Sequence, residues 1–592
     1  MTPPLDQPPR PSAALADLSP FVLLAQLVPL AIGLALWAAS LGEIDAGRVG
    51  EYGLLEELPA LWFAALAVLV AGAATVISIA HRPKAWLMAA YVAAVVAVLY
   101  ATLPAVADAP QYPWVYKHIG VTQMIDLRGG IDTDIDIYNR WPGLFALGAV
   151  FGRLAGLSDP VSWAAWAEPM FMLVDALLVA AIAHTLTRSG RVAGTAALIF
   201  VLVNWIGQTY YSPQAAATTM ALVLLLVVLR GAADTADRSA GGTTQPLRWP
   251  PNVVIVVVLA LDLAIVVTHQ LTPFAVIAQV AALAVAGSVR SWRIFAAVAV
   301  LPVWFLVANL SFISDHYDLV TSLDPFDNVR SSGGYDVARS AGKALNADLS
   351  LLLSAGMFAG ALLAAYALHR RRGFGRLPLG LLALVFAPFT LALTQSYGGE
   401  ASLRIILYAA PWAAVLIATA IATLHGAARR AAWLIGVAAV AAALVVPAFY
   451  GASQLNVIPR STLEVSEDFY ARAPAGSVLM LAGPGFPLRV GARYDRFAGP
   501  IADADPNLLH DDTFRSRPLG AADIPAVIRE MRAYADRGFL AFSTTEERWA
   551  HAFGLTPPGA LADLEQAVRR SPRFRLWNGS ATARIYELVP AR

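Results

Sequence analysis

The sequence predicts a polytopic α-helical membrane protein of about 13 transmembrane helices, followed by a C-terminal extracytoplasmic α/β domain. Three observations predict it. The chain is 58% hydrophobic and only 14% charged, whereas a soluble globular chain carries ~25% charged residues. Apolar runs of about 20 residues recur between positions 21 and 450, each long enough to cross a ~30 Å bilayer core as a helix. After position 451 those runs stop, and charge, proline and glycine return.

Residues 1–20, MTPPLDQPPRPSAALADLSP, are proline-rich and are expected to be a disordered cytoplasmic N-terminus. The apolar run after them is too long for a signal-peptide core and lacks a convincing cleavage site, so it reads as a retained first helix. The transmembrane domain covers 21–450, with spans expected at about 21–41, 59–80, 85–104, 162–187, 192–207, 213–230, 252–270, 273–289, 294–314, 349–368, 377–395, 404–424 and 432–450. The loops test this count. HRPK (81–84), TRSGR (187–191), RSWR (290–293), HRRRGFGR (369–376) and RR (429–430) are basic. The alternate set, 42–59, 105–141 and 315–348, is longer and acid-rich. Lys and Arg mark cytoplasmic loops, so the N-terminus is expected inside and the C-terminus outside. WPGLFALGAVFGRLAGL (141–157) is short for a span and carries Arg153; it reads as an amphipathic helix at the external interface. Residues 231–251 read as a cytoplasmic linker.

Residues 451–592 form the soluble extracytoplasmic α/β domain. SVLMLAG (477–483) and GFLAFST (538–544) read as buried strands, and ADIPAVIREMRAYADRG (522–538) as a helix with a glycine stop. FRLWNGSATARIYELV (574–589) reads as a hairpin around Asn578-Gly579. No internal repeat is evident. The chain has no cysteine, which excludes disulfides, thiolate metal sites and a cysteine nucleophile. A net charge of +1 says nothing of partners, and basic residues scattered over short loops give nucleic-acid binding no support.

The first large external loop, 105–160, holds the densest polar segment before the C-terminal domain. Asp108, Lys117, His118, Asp126, Arg128, the alternating Asp132, Asp134 and Asp136, and Arg140 are interleaved with Tyr112, Trp114, Tyr116, Tyr138 and Trp141. Such a mixture suits a sugar and a phosphate. A carboxylate can act as general base on a hydroxyl, Arg and Lys can hold a phosphate, and aromatic planes cover a pyranose ring. The plainer alternative is an acid-rich solvated loop. Three further segments add candidates. THQLTPF (268–274) sets His269 and Gln270 in a tight turn, where a lone histidine is more often structural. SYGGEASLRIILYAAP (396–411) puts Glu400 and Arg404 four apart, as an ion pair or as an Arg aimed at phosphate. NWIGQTYYSPQ (204–214), with Tyr210 and Gln214, could form another wall. Asp175 and Asp262 lie inside expected spans, where carboxylates are costly and flag function, or simply pair with a neighbouring helix. Asp-x-Asp-x-Asp offers oxygens to a divalent cation only if the backbone stays strand-like; no cofactor is expected.

Those segments in their order, VADAPQYPWVYKHIGVTQMI (106–125), DIYNRWPGLFALGAVFGRLAGLSDP (136–160), NWIGQTYYSPQ, THQLTPF and GEASLRIILYAAP, resemble GT-C superfamily glycosyltransferases, and most a group of actinobacterial membrane members. The resemblance covers roughly residues 40–450, with a weaker match around AFSTTEERWAHAFGL and ARIYELV. It implies a GT-C-like fold in a bacterial plasma membrane and a polyprenyl-phosphate-linked sugar as donor. The acceptor would be an envelope glycan, lipid or protein on the external face. It implies an acid of the first loop as base, at Asp108 or Asp136. Lys117, His118, Arg140, Trp141, Tyr210, Gln214, His269, Gln270, Glu400 and Arg404 are the candidate substrate-binding residues. Two departures stand out: relatives tend to carry an acid where Thr209 stands and an Arg where Gln111 stands. Two extra spans precede the matching loop, so Asp45 or Glu51 is also a candidate. The expectation is inverting sugar transfer with a carboxylate base; the alternatives are a lipid or polysaccharide transporter or flippase, and a non-catalytic envelope-assembly scaffold. A transporter would line a path through mid-bilayer with charge, whereas here polar residues gather on one face.

Overall fold

The computed structural model describes residues 20–79, 84–239, 249–289, 291–316, 339–372, 375–393, 400–498 and 505–589. The expectations for the N-terminus (1–19), most of HRPK, the middle of the 231–251 linker, most of the 315–348 loop and the SYGG stretch lie outside the described residues.

Among the described residues, nine helices are long and apolar enough to cross a membrane: Phe21–Glu43, Ala60–Ile79, Ala85–Val106, Ala167–Thr187, Pro213–Ala232, Ala341–Arg371, Arg376–Leu393, Ala401–Ala422 and Ala427–Asn456. The protein is a multi-pass membrane protein. Four further expected spans coincide with shorter apolar helices, Gly190–Val203, Pro251–Val266, Thr272–Val285 and Trp292–Ala308. Each is shorter than the ~20 residues a perpendicular crossing needs. Polar turns cut them off: Asn204 ends the first, and Thr268 to Leu271 separate the next two. One helix is longer than expected. Ala341–Arg372 begins inside what reads as external loop, because Glu51 accepts from the Gly342 N–H (2.9 Å) and Asn346 donates to the Pro447 and Ala448 carbonyls.

The two sets of loops separate to opposite ends of the helices. At one end, Arg371 bonds Thr423 (3.0 Å to Oγ1), Arg191 bonds the Ile77 carbonyl (3.0 Å) and Arg430 bonds that of Leu424 (3.1 Å). At the other, the Leu54 N–H donates to Ser453 (2.6 Å), Tyr112 N–H to the Asn456 carbonyl (2.9 Å) and Ser340 N–H to that of Ala552 (3.1 Å). The acid-rich loops therefore meet one another and the C-terminal domain.

That domain carries a four-stranded sheet of order β1-β2-β4-β3, with β1 Val478–Leu481, β2 Gly538–Ser543, β3 Phe574–Gly579 and β4 Ala583–Leu588. β1 and β2 are parallel; the other two pairings are antiparallel. The helix Ile524–Tyr534 lies in the β1–β2 crossover and buries Val527, Ile528 and Met531. The hairpin turn differs from expectation. Asn578 and Gly579 stay in β3, paired with Ile585 and Arg584 after a bulge. The reversal falls at Ser580–Thr582, where the Ser580 N–H donates to the Ala583 carbonyl (2.7 Å) and its hydroxyl accepts from Thr582 and Ala583.

The WPG segment becomes the helix Gly143–Ala155, with Leu144, Phe145, Gly148, Ala149 and Gly152 buried and Leu147, Val150, Phe151 and Leu154 exposed. Both faces are therefore apolar, unlike the polar-and-apolar helix expected, and Arg153 near its end pairs with Asp126 of the helix Val115–Arg128 (2.5 Å). One apolar cluster joins this helix and the helix Val115–Arg128 to Ile458, Leu463, Val490 and Tyr494 of the C-terminal region. First loop and C-terminal domain thus share a core.

Candidate functional site

Five segments that the sequence singles out converge at this second end of the helices, called here the mouth. Arg404, in the first turn of Ala401–Ala422, donates to Gln208 Oε1 (3.2 Å) of the 204–212 turn and pairs with Glu400. Tyr112 of the first loop stacks on Tyr210 of that turn (4.6 Å, 25°). Tyr210 stacks on His118 (5.8 Å, 12°), and His118 meets the edge of Tyr138 (5.2 Å). His269 Nδ1 faces the Thr272 N–H (3.2 Å) and hydroxyl (2.8 Å), and the Thr272 hydroxyl meets that of Tyr408 (2.8 Å). Gly143 closes the ring: its N–H donates to the Val267 carbonyl (2.9 Å), and a Cβ there would sit 2.2 Å from the Thr268 hydroxyl. The glycine of the WPG turn is needed for that close approach.

The remaining candidates have identifiable surroundings. Arg140 donates to Asn309 (3.3 Å), faces the exposed Asp134 (3.6 Å) and lies over the Phe312 ring (4.0 Å). Trp141 is buried edge-on to Phe305 (5.6 Å). His118 is a core histidine: Nδ1 donates to the Tyr211 carbonyl (2.8 Å), and burial pushes the imidazole down to about 4. Gln270 is half-buried in its turn and makes no hydrogen bond among the described residues. Asp45 is local, accepting from Gly47 and facing Arg48, and Glu51 is taken by Gly342. Asp175 accepts from Thr219 (2.6 Å), while buried Asp262 has no hydrogen bond among the described residues.

The three alternating aspartates part company. Asp132 faces Arg128 (3.7 Å) and Asp134 faces Arg140, both at the surface. Asp136, 1% exposed, accepts from the Asn139 N–H (3.0 Å) and amide (2.9 Å), capping the turn Ile137–Arg140. Its second oxygen accepts from the Tyr494 hydroxyl (2.8 Å) and faces Arg489 (3.7 Å). Arg489 also faces Asp505 (4.0 Å), and Asp505 accepts from Lys117 (2.6 Å). Among the described residues two cations and two anions thus form one largely buried network between the first loop and the C-terminal domain. Burial pulls the Lys117 ammonium below its ordinary value even against Asp505. Burial opposes the Asp505 carboxylate, yet Lys117 and Arg489 hold it below the ordinary range. Arg489 adopts a left-handed backbone (φ 58°), costly for a non-glycine residue. Its carbonyl fills the space a Cβ on Gly120 would need, 2.0 Å away. The cation reading of the aspartate triplet needs a shared face, and no group of three or more metal-ligating residues occurs among the described residues.

Asp108 differs from Asp136. It is exposed, in a bend just past the third span, and makes no hydrogen bond or ion pair among the described residues.

Residue reading missed Glu168. It heads the span Ala167–Thr187, is 1% exposed, and accepts from Gln111 (2.5 Å) and Tyr112 (2.9 Å), with the Thr209 hydroxyl also against it. The two positions that depart from the GT-C pattern, Gln111 and Thr209, therefore meet at one carboxylate. Tyr112 has a positive φ of 74°, so this link holds a strained residue beneath Tyr210. Gln208, Arg489, Tyr494 and Asp505 were also unmarked; only Gln208 lay within a quoted motif.

No protein-family model and no curated protein matches the chain. Among solved structures it is similar to the Archaeoglobus fulgidus oligosaccharyltransferase in the apo form, at 12% identity and TM-score 0.49, over 80% of this chain and 72% of that one. It is similar to ArnT from Cupriavidus metallidurans bound to undecaprenyl phosphate, at 12% identity and TM-score 0.46, over 90% and 99%. A third likeness is to AglB from A. fulgidus in complex with an inhibitory peptide and a dolichol-phosphate, at 12% identity and TM-score 0.46, over 88% and 74%. Likenesses at this level do not decide what this chain does.

Proposed function

We propose that the chain is a GT-C-type glycosyltransferase that moves a sugar from a polyprenyl-phosphate donor to an envelope acceptor on the external face of a bacterial plasma membrane. The observation that carries the reading is the meeting of the first loop, the 204–212 turn and the head of Ala401–Ala422 around Arg404. A guanidinium 7% exposed in the first turn of a membrane helix is costly there unless it serves an anion. Glu400 is its counter-ion, and the donor phosphate takes that place as the lipid enters sideways from the outer leaflet. Arginine holds a phosphate bidentately.

The chemistry is a single displacement. The acceptor oxygen attacks the anomeric carbon, the bond to the lipid phosphate breaks, and configuration inverts. Asp108 takes the acceptor proton, since it alone of the two first-loop candidates is unengaged among the described residues; Asp136 already accepts from three groups and faces Arg489. Asp136 acts as a positioning residue that fixes Tyr138 and Arg140. The negative charge left on the lipid phosphate is held by Arg404. The C-terminal domain, which shares a core with the first loop, roofs the site and selects the acceptor. No resident cofactor enters these steps.

The test is purified protein in vesicles with polyprenyl-phosphate sugars and envelope acceptors. Sugar transfer that needs the lipid donor and is lost in Asp108→Asn supports the reading. Unchanged transfer in Asp108→Asn removes the base assignment.

A further inference from the structure

The helix Pro213–Ser239 starts at the mouth and carries Gln214 in its first turn. Gln214 is 2% exposed, and neither the nitrogen nor the oxygen of its amide has a hydrogen-bond partner among the described residues. Four residues on, and so on the same helix face, Thr218 is buried. Its hydroxyl lies beside that of Tyr408 without reaching hydrogen-bond geometry. Buried polar groups are almost always paired, and an unpaired one costs about 1–3 kcal/mol. Gln214, with both ends of its amide open and Thr218 one turn below it, marks a place built for a partner.

Gln214 specifies that partner. A carboxamide offers both a donor and an acceptor. A bare phosphate would satisfy only the donor and a cation only the acceptor. A hydroxyl satisfies both, and neighbouring ring hydroxyls can bridge the two ends. The height of the site follows from the helices. Arg404 and Tyr408 are also four apart, on a helix that likewise runs inward from the mouth. Since Tyr408 lies beside Thr218, Gln214 and Arg404 each stand one turn, ~6 Å, nearer the mouth.

We infer that Gln214, with Thr218 below it, forms a neutral subsite for hydroxyl groups of the sugar ring on the lipid donor, and so distinguishes glycosylated lipid from bare lipid phosphate. This rests on the lipid-donor reading and assigns a part of the site to the sugar, apart from the phosphate at Arg404.

The experiment measures binding of undecaprenyl phosphate, and of undecaprenyl phosphate bearing one hexose or one pentose, to the purified full-length protein in vesicles. Wild type, Gln214→Leu and Thr218→Val are compared, with thermal unfolding as the check on folding. Wild type should prefer a glycosylated lipid. Gln214→Leu should lose about tenfold of that preference, ~1.4 kcal/mol, while its affinity for undecaprenyl phosphate stays unchanged; Thr218→Val should lose a smaller part. A preference kept in both variants overturns the inference and means that the amide meets enclosed water only. Equal loss of affinity for all lipids also overturns it, as the mark of a structural residue. Wild type that binds neither kind of lipid overturns the lipid-donor reading itself, a result distinct from the other two.

Discussion

The Tyr494 hydroxyl donates to Asp136 across 2.8 Å, although 358 residues of chain separate them. Tyr494 belongs to the C-terminal domain, and Asp136 caps the short turn that carries Tyr138 and Arg140 to the mouth. The C-terminal domain is therefore part of the device that shapes the first loop. Tyr494→Phe should keep the packing and remove this bond. The expected result is faster hydrogen exchange over residues 130–142, with a loss of local stability of about 1–3 kcal/mol.

The two first-loop acids should behave oppositely. Asp108→Asn should leave thermal unfolding unchanged and lower turnover by about 10²–10⁴-fold, the range for a general base. Asp136→Ala should leave Arg489 buried opposite a lost carboxylate and cost about 3–5 kcal/mol, seen as a lower unfolding midpoint and a loosened first loop. Unfolding and turnover measured on both variants separate the two roles.

Arg404→Ala should weaken binding of undecaprenyl phosphate at least tenfold, and Arg404→Lys should recover only part of it. Lysine keeps the charge but not the bidentate fork. Titration of the lipid into vesicles carrying each variant reads this directly.

Stability should fall on acidification through His118. Its folded value is depressed from 6.5 to about 4, so between those pH values the unfolded chain binds the extra proton. The contribution is whole above pH 6.5, declines as pH drops and is gone below pH 4. The span corresponds to about 3 kcal/mol. Asp505, whose carboxylate is held low by Lys117 and Arg489, adds a loss at lower pH still. Unfolding midpoints from pH 7 to 4 should slope down in wild type and flatten in His118→Phe.

Gly120→Ala should separate the domain from the loop helix. The new Cβ meets the Arg489 backbone carbonyl at 2.0 Å, and backbone cannot turn aside as a side chain can. Overpacking of this kind costs about 1–3 kcal/mol. Limited proteolysis should then cut between the transmembrane helices and residue 478 sooner than in wild type.

Membrane class, most helices and both halves of the sheet were legible because apolar runs, loop charge and turn residues are local signals. The four short helices were harder: apolar sequence runs on into Trp205, Val267 and Val289, and only Asn204 and Thr268 mark the ends. That the polar segments gather at one end of the helices was legible from the alternation of basic and acid-rich loops, which also fixes the side of the uncharged turns 204–214 and 268–274. The pairings within the mouth were not. Glu168 is a lone acid at the head of an apolar run and reads as part of a span. Arg489, Tyr494 and Asp505 reach the first loop from more than 350 residues away, and nothing near them in sequence announces it. Asp136 is buried where Asp132 and Asp134 are exposed, and its contacts with Tyr494 and Arg489 of the C-terminal domain had no local sign.

The most direct measurement is sugar transfer by the purified protein in vesicles, with undecaprenyl-phosphate-linked and nucleotide-linked forms of the same labelled sugars, on wild type, Asp108→Asn and Arg404→Ala. The account predicts transfer from the lipid-linked form alone, lowered by about 10²-fold or more in Asp108→Asn at a wild-type unfolding midpoint, and lowered in Arg404→Ala through weaker lipid binding. Transfer from the nucleotide-linked form, or wild-type rates in both variants, would contradict it.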